Sequence, residues 1–489
     1  MRRFLEVIAI VAAGLLAPAV LAGGPGDGGA TGPDSVVELG SRRELFVDRF
    51  LIDRLTGAAL TLERPRDEGV VVRFDRPWEG AFCGYATVLR VGSLYRVYYR
   101  GLPASGSDGS DDEVTCCAES QDGKSWVKPE LGLFERGGTR ANNIVLAGRA
   151  PFSHNFCPMI DPRPGVPAGE RFKALAGTAA TGLFAFVSGD GLRWRLLRDR
   201  AVLTAGAFDS QNVPLWSESE KRFVCYFRVF VDGFRRVARA TSDDFLSWSA
   251  PALMTYGDRP VEHLYTNQTS PYFRAPHILV GIAARFFPGR RVLTPEQAAA
   301  IHVDPGYFND CSDAVLITTR GGSRYDRTFM EGFLVPGIGP ENWVSRTNYP
   351  ALNVVLTGPH EMSFYVNQNY GQPTAHLRRY SLRLDGFSCV RAPYEGGELV
   401  TRPLTFAGRE LTLNAATSAA GGVHVELEDA ARKPLPGFAL TDSVDLIGND
   451  IEQVVRWKAG SDVSALAGKP VRLRFVLRDA SLYALRFRE

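Results

Sequence analysis

One short pattern recurs along this chain and constrains the fold it can adopt. A hydroxyl residue is followed two places on by an acidic or small residue and six places on by an aromatic one. The copies are Ser120-Gln121-Asp122-Gly123-Lys124-Ser125-Trp126, Ser188-Gly189-Asp190-Gly191-Leu192-Arg193-Trp194, Ser242-Asp243-Asp244-Phe245-Leu246-Ser247-Trp248 and the degenerate Thr319-Arg320-Gly321-Gly322-Ser323-Arg324-Tyr325. They start 68, 54 and 77 residues apart, and a weaker echo, Leu384-Asp385-Gly386-Phe387, follows sixty-odd residues later. Each has turn chemistry: Asp or Gly permits the tight backbone, and the aromatic packs on the returning strand. A repeat of this length with strand-like sequence between turns predicts β-propeller blades, five of them.

Between the turns the hydrophobic period is two. Leu94–Arg100, Arg222–Arg228 and Glu361–Val366 are rich in aromatic and β-branched residues, as strands are. In each blade a first strand, nearest the axis, should precede such a segment: one ending near Gly92, then Phe156–Ile160, Val213–Trp216, Thr269–Phe273 and Pro350–Leu356. Helix is expected only at Thr294–Ile301, where Thr294 can cap and Pro295 suits the first turn. After about Gly397 the alternation is cleaner, as in Glu410–Asn414, Gly422–Leu427 and Val471–Leu477. That is a sheet with one wet face, expected as a β-sandwich. The expected class is all-β, with a propeller over 41–397 and a β-sandwich over 398–489.

Arg2 and Arg3 ahead of an apolar run, ending at Val20-Leu21-Ala22, predict a secretory signal peptide over 1–22 and a secreted or periplasmic protein. The Gly-rich stretch that follows predicts a flexible leader over 23–40. No later segment is apolar enough to span a membrane. Net charge is +2 with no basic stripe, which argues against a nucleic-acid partner. The seven cysteines lack zinc-ligand spacing and mostly sit in apolar strands, so buried free thiols are expected, with room for one or two disulfides. No phosphate loop, serine elbow or dinucleotide fingerprint is present, and neither cofactor nor metal is expected.

The turns at Ser120–Trp126 and Ser188–Trp194 are similar to those in the blades of five-bladed propeller glycoside hydrolases, the fructan-hydrolysing and arabinanase-like groups. The stretch from Thr401 resembles domains attached to bacterial proteins similar to the N-terminal domain of the fructan hydrolases. The resemblance implies an exported glycosidase acting on a carbohydrate at the propeller mouth. The chain also departs from the family. Phe82-Cys83-Gly84-Tyr85-Ala86-Thr87 stands where the nucleophile segment belongs and has no carboxylate, and His154-Asn155-Phe156 lacks the second-blade acid. An acid survives only in the third blade, at Asp209-Ser210-Gln211. Asp161-Pro162 follows its inner strand and is expected to start a turn.

Glycoside hydrolysis needs one carboxyl group to protonate the leaving oxygen and another to attack or activate water. Asp209 and Glu262, at the entrances of blades three and four, are the expected pair. Glu79 and Asp313 are further acids for which a structural role is the simpler expectation. Hydroxyl recognition is assigned to His154, Asn155, Asn212, His263, Asn267, Arg285 and Arg346, with Trp78, Tyr85 and Tyr265 as stacking platforms. Alternatives are a non-catalytic carbohydrate-binding propeller, a glycoside phosphorylase using Arg285 or Arg346, and a sialidase-like enzyme in which Arg285, Arg346 and Tyr349 take part.

Overall fold

The computed structural model describes residues 35–489, so the signal peptide and most of the expected leader lie outside the described residues. Five antiparallel sheets follow one another around an axis, and the structure is nearly all β. Blade one is Gly84–Val91, Leu94–Gly101, Val114–Ser120 and Ile144–Leu146. Blade two is Cys157–Ile160, Phe172–Thr178, Gly182–Ser188 and Arg195–Leu196. Blade three is Val213–Ser217, Arg222–Val231, Phe234–Ser242 and Ala252–Leu253. In blade four the inner strand is split into Leu264–Thr266 and Thr269–Tyr272, followed by Ala275–Phe287 and Cys311–Thr319. Blade five runs from Tyr349–Pro350 and Val355–Leu356 through Glu361–Gln368 to His376–Arg383.

The outer strand of blade five is Arg66–Arg73, from the start of the chain, paired antiparallel with His376–Arg383. Non-local closure of this kind leaves no signal in either segment alone. The strands before it belong elsewhere. Glu44–Leu45, Ile52–Thr56 and Ala59–Leu62 join Ser388–Ala392, Gly397–Thr401, Glu410–Glu428, Asn449–Val454 and Arg472–Arg488 in one continuous eight-stranded sheet. Its two long strands shift register between Thr417 and Gly422. Residues on both sides of the shift, among them Leu411, Leu413, Val423 and Val425, fill one shared core. The leader expectation fails at its end: Val37–Gly40 is a strand parallel to Leu404–Phe406, because Val37 and Leu39 are apolar at alternate positions and both are buried.

The helix is Pro295–Ala300, with Thr294 and Gln297 forming a reciprocal cap, inside the long connection of blade four. All seven cysteines are free and buried, so the room left for disulfides is not used.

Every copy of the turn pattern follows the third strand of its blade. In the three full copies the Ser hydroxyl contacts the Asp carboxylate at 2.9–3.0 Å and accepts from the residue-four backbone N–H at 2.8–2.9 Å. The same Asp accepts two further backbone N–H groups at 2.7–2.8 Å. Residue four is left-handed, with φ of 70°, 74° and 69° at Gly123, Gly191 and Phe245.

The backbone donation from Ser125 holds Asp122 down at about 2, and backbone and Ser donors hold Asp190 and Asp244 at about 2 against the opposing cost of burial. The unfolded chain therefore takes up protons first as pH falls, and these turns lose their contribution between about pH 4 and 2. Circular dichroism from pH 5 to 2 should show unfolding in that window, and replacing all three by Asn should flatten the pH dependence. An unchanged acid midpoint in the triple variant would refute it.

Candidate functional site at the propeller mouth

Inner strands begin at one face of the ring and middle strands end there, so that face carries the starts of five inner strands. Below it the axis is closed. Gln211 donates to Thr87 Oγ1 at 2.7 Å, and Gln268 donates to Gln211 Oε1 at 2.8 Å and to the Pro350 carbonyl at 2.6 Å. The inner strands of blades one and five also touch directly, through Leu352 N–H to the Ala86 carbonyl at 2.8 Å. The mouth is therefore the blind end of a plugged channel. An apolar cavity of about 490 Å³ lies at the other end, lined by Pro158, Met159, Trp216, Pro271 and Phe273 among others.

Around the mouth a closed circuit of tyrosines and arginines draws on most of the blades. The Tyr85 hydroxyl donates to the Asp209 carbonyl at 3.2 Å, and the Asp209 carboxylate pairs with Arg228. Arg228 lies 4.5 Å over the Tyr265 ring, whose centroid is 5.0 Å from that of Tyr349. Arg346 stands over Tyr265, Tyr307 and Tyr370 at 5.7, 5.0 and 5.8 Å. Arg100 donates to the Tyr370 hydroxyl at 2.9 Å and lies 4.9 Å over Tyr85, closing the circuit. Blade two contributes His154, edge-on to Tyr85 at 6.0 Å and 3.0 Å from Glu113.

Backbone strain collects here. Tyr85, Phe208, Gln268, Arg346 and Asn348 are left-handed, with φ between 34° and 59°, at or beside inner-strand starts in four blades. Non-glycine residues hold that conformation only where their surroundings impose it.

The expected site residues divide. Asp209, Tyr85, His154, Tyr265 and Arg346 belong to the circuit. Asn155 does not face a ligand: it donates to the Gly177 and Ser210 carbonyls and accepts from Gly177 N–H, clamping blade two to blade three. Asn267 caps its own turn by accepting from Thr269 N–H at 3.0 Å. Asn212 is buried, and its Oδ1 finds no partner among the described residues. His263 accepts from Arg235 N–H and stacks on Phe234, and burial lowers its pKa.

Trp78 and Glu79 belong to the packing of blade one. The Trp78 indole is buried and donates to Asn143, while Glu79 is fully buried between Lys128 at 2.6 Å and the Tyr99 hydroxyl at 2.6 Å. The Trp-Glu pair reads like an aromatic platform in sequence because a strand-entry turn uses the same residue types. Asp161 starts a turn, as expected, paired with Arg163 at 2.8 Å.

Glu262, Arg285, Asp313 and Arg327 form a balanced cluster in blade four. Glu262 takes Arg285 at 2.9 Å and Arg327 at 2.7 Å, and Arg285 is bidentate to Asp313 at 2.9 and 2.6 Å. Both Glu262 oxygens are thus occupied by guanidinium groups, and Arg285 is not free for substrate. Asp209 and Glu262 share no partner. The Asp209 side chain, by contrast, is 53% exposed, while that of its partner Arg228 is 2% exposed.

Arg100, Arg228, Glu113, Tyr307 and Tyr370 were not expected at the site. A signal for the arginines exists: Arg100, Arg228 and Arg285 each sit near the mouth end of a middle strand. Asp108, Glu113 and His154 bring donor atoms within 4.8 Å of one another, a geometry that suits a cation. Arg100 already lies 3.4 Å from Glu113 and 3.5 Å from Asp108, so a fixed positive charge occupies that role. Burial, with Tyr265 adding to it, pushes the phenols of Tyr85 and Tyr349 well up against the pull of the arginines, so both stay protonated near neutrality, and Tyr85 donates to the Asp209 carbonyl.

No protein-family model matches the chain, and no curated protein does. Solved structures similar to it include an N-acetylgalactosamine deacetylase from F. plautii in complex with blood group B trisaccharide. That protein is 12% identical at a TM-score of 0.44, over 67% of this chain and 96% of that one. A glycosyl hydrolase from Bacteroides ovatus is 13% identical at 0.38, over 66% and 94%. An exo-β-1,3-galactanase from Phanerochaete chrysosporium is 10% identical at 0.39, over 87% and 100%. Similarity at this distance fixes neither chemistry nor substrate.

Proposed function

We propose that this chain is an exported glycoside hydrolase that cleaves its glycan at the propeller mouth, with Asp209 as one of the two carboxyl groups the reaction uses. The observation that carries this reading is the accessibility of Asp209 at the plugged end of the channel, beside the rings of Tyr85 and Tyr265. Tyr265 is buried beneath Arg228 and Arg346 and offers no face to a sugar, and the buried Arg228 holds the carboxylate in one orientation. Glu262 is the second carboxyl in this reading, and it would act from within its arginine cluster.

The rival is a non-catalytic carbohydrate-binding propeller. It is favoured by one observation: Asp209 is the accessible carboxylate, whereas both Glu262 oxygens are occupied by Arg285 and Arg327. The two readings part in a screen for sugar release from polysaccharides and aryl glycosides, run beside Asp209→Asn and Glu262→Gln. Loss of a general acid or base costs about 10²–10⁴-fold, so Asp209→Asn should reduce turnover by at least about a hundredfold with binding retained. Turnover lost in Asp209→Asn but kept in Glu262→Gln would remove Glu262 from the mechanism. Binding with no turnover in the unmodified protein would leave the binding propeller.

A further inference from the structure

The charges at the mouth do not balance on the side of blades three to five. Arg346 makes no hydrogen bond or ion pair to any described residue, and three tyrosine rings surround its guanidinium. Its backbone is left-handed, with φ of 56°, so the fold holds this side chain in place at a conformational cost. Arg228 spends one nitrogen on Asp209, but its Nε and Nη1 are buried and find no partner among the described residues. The Tyr349 hydroxyl beside them is also buried and unsatisfied. Every other arginine cluster in the propeller described above is closed by carboxylates: Arg285 and Arg327 by Glu262 and Asp313, Arg100 by Glu113 and Asp108. Of the acids on the far rim, Asp108 is taken by Arg100, and Asp304 accepts from Ser105 at 2.9 Å.

Arg346 is half-buried, so its unpaired guanidinium is open to an acceptor from outside. A neutral sugar offers hydroxyls, which satisfy hydrogen bonds but leave the positive charge of Arg346 uncompensated. A carboxylate satisfies both, because its two oxygens match the planar fork of a guanidinium. We infer that the mouth takes a glycan unit bearing a carboxylate, seated on the guanidinium of Arg346. This inference rests on the mouth being the glycan site of the proposed function, but not on hydrolysis.

The test is calorimetric binding to the full chain and to its Asp209→Asn variant. Two sources of sugar carboxylate serve as probes: galacturonate and glucuronate oligosaccharides, and sialyllactose. Each is paired with its methyl ester or carboxyl-reduced form, and inorganic phosphate is run alongside. One acid should bind about ten- to a hundredfold tighter than its neutral counterpart, with the preference weakening as salt rises. Which source binds names the sugar. Arg346→Gln should abolish the preference and Arg346→Lys keep part of it, with thermal midpoints unchanged to show the fold is intact.

Equal affinity for acid and neutral partners, a preference that survives Arg346→Gln, or no binding by any acid would overturn the inference. So would phosphate binding that is lost in Arg346→Gln while no sugar acid competes for it, since that assigns Arg346 to phosphate. The two proposals fail separately. Acid-selective binding without turnover removes the hydrolase and leaves this inference, while turnover of a neutral glycan without acid preference does the reverse.

Discussion

A chain begun at Phe74 is expected to fail to fold, whereas one begun at Ser35 is expected to fold normally. The first loses Arg66–Arg73, the outer strand of blade five, and leaves His376–Arg383 as an unpaired edge. It also loses the three strands contributed to the C-terminal sheet. Leu45, Phe46, Val47, Leu51, Ile52 and Val72 are all buried and go with it. At about 1.5–3 kcal/mol per buried apolar side chain, that is roughly 9–18 kcal/mol of lost burial. A whole domain is stable by only about 5–15 kcal/mol, so the loss should unfold the molecule rather than soften it. Soluble yield, far-ultraviolet circular dichroism and denaturant melts of the two chains decide the matter. A shorter chain that stays soluble with a cooperative melt would show that the ring closes without its N-terminal strand.

The same strand marks the boundary of what the sequence discloses. Blades are local objects, and their turns, alternation and inner-to-middle strand pairs are written in contiguous residues. Val213–Trp216 and Arg222–Arg228 were legible as neighbours because only a short turn separates them, and they pair at 213–217 with 222–226. Arg66–Arg73 has no such neighbour: its partner lies some 300 residues on. The Asp-containing turns, the most visible motif, are structural and lie at the opposite face from the mouth, since third strands start where middle strands end.

The site was legible in part for a related reason. Asp209, Tyr85, His154, Tyr265 and Arg346 precede or begin inner strands, so the blade cycle alone places them at the mouth. Arg100 and Arg228 come at the ends of aromatic runs that read as strand core, Tyr307 arrives on a long connection and Tyr370 on the loop after Glu361–Gln368, whose courses no periodicity encodes. Glu262 and Glu79 look like entrance acids in sequence. Glu79 is taken into the packing of blade one by Lys128 and Tyr99, and Glu262 is paired with Arg285 and Arg327, partners that only the folded chain brings up.

Asp385→Ala is expected to destabilise the protein by about 3–5 kcal/mol, though it lies in the weakest echo of the turn pattern. Asp385 is fully buried and left-handed, with φ of 62°, as residue four is in the full copies. Here the carboxylate has been recruited to join the two parts of the molecule. It accepts from Tyr272 of blade four at 2.8 Å and from Asn414 of the C-terminal sheet at 3.0 Å. Arg43 approaches it at 3.3 Å and Arg274 at 3.5 Å, and both arginines also pair with Glu452. Removing one member of a buried ionic group leaves the other charge without compensation, which costs about 3–5 kcal/mol, and alanine adds strain at this φ. Asp385→Asn tolerates the φ and keeps an acceptor for Tyr272, so its loss should be smaller and the difference isolates the charge. Urea melts of the three proteins at pH 7 measure this. If Asp385→Ala shifted stability by less than about 1 kcal/mol, the surface range for ion pairs, the carboxylate would not be what couples blade four to the C-terminal sheet.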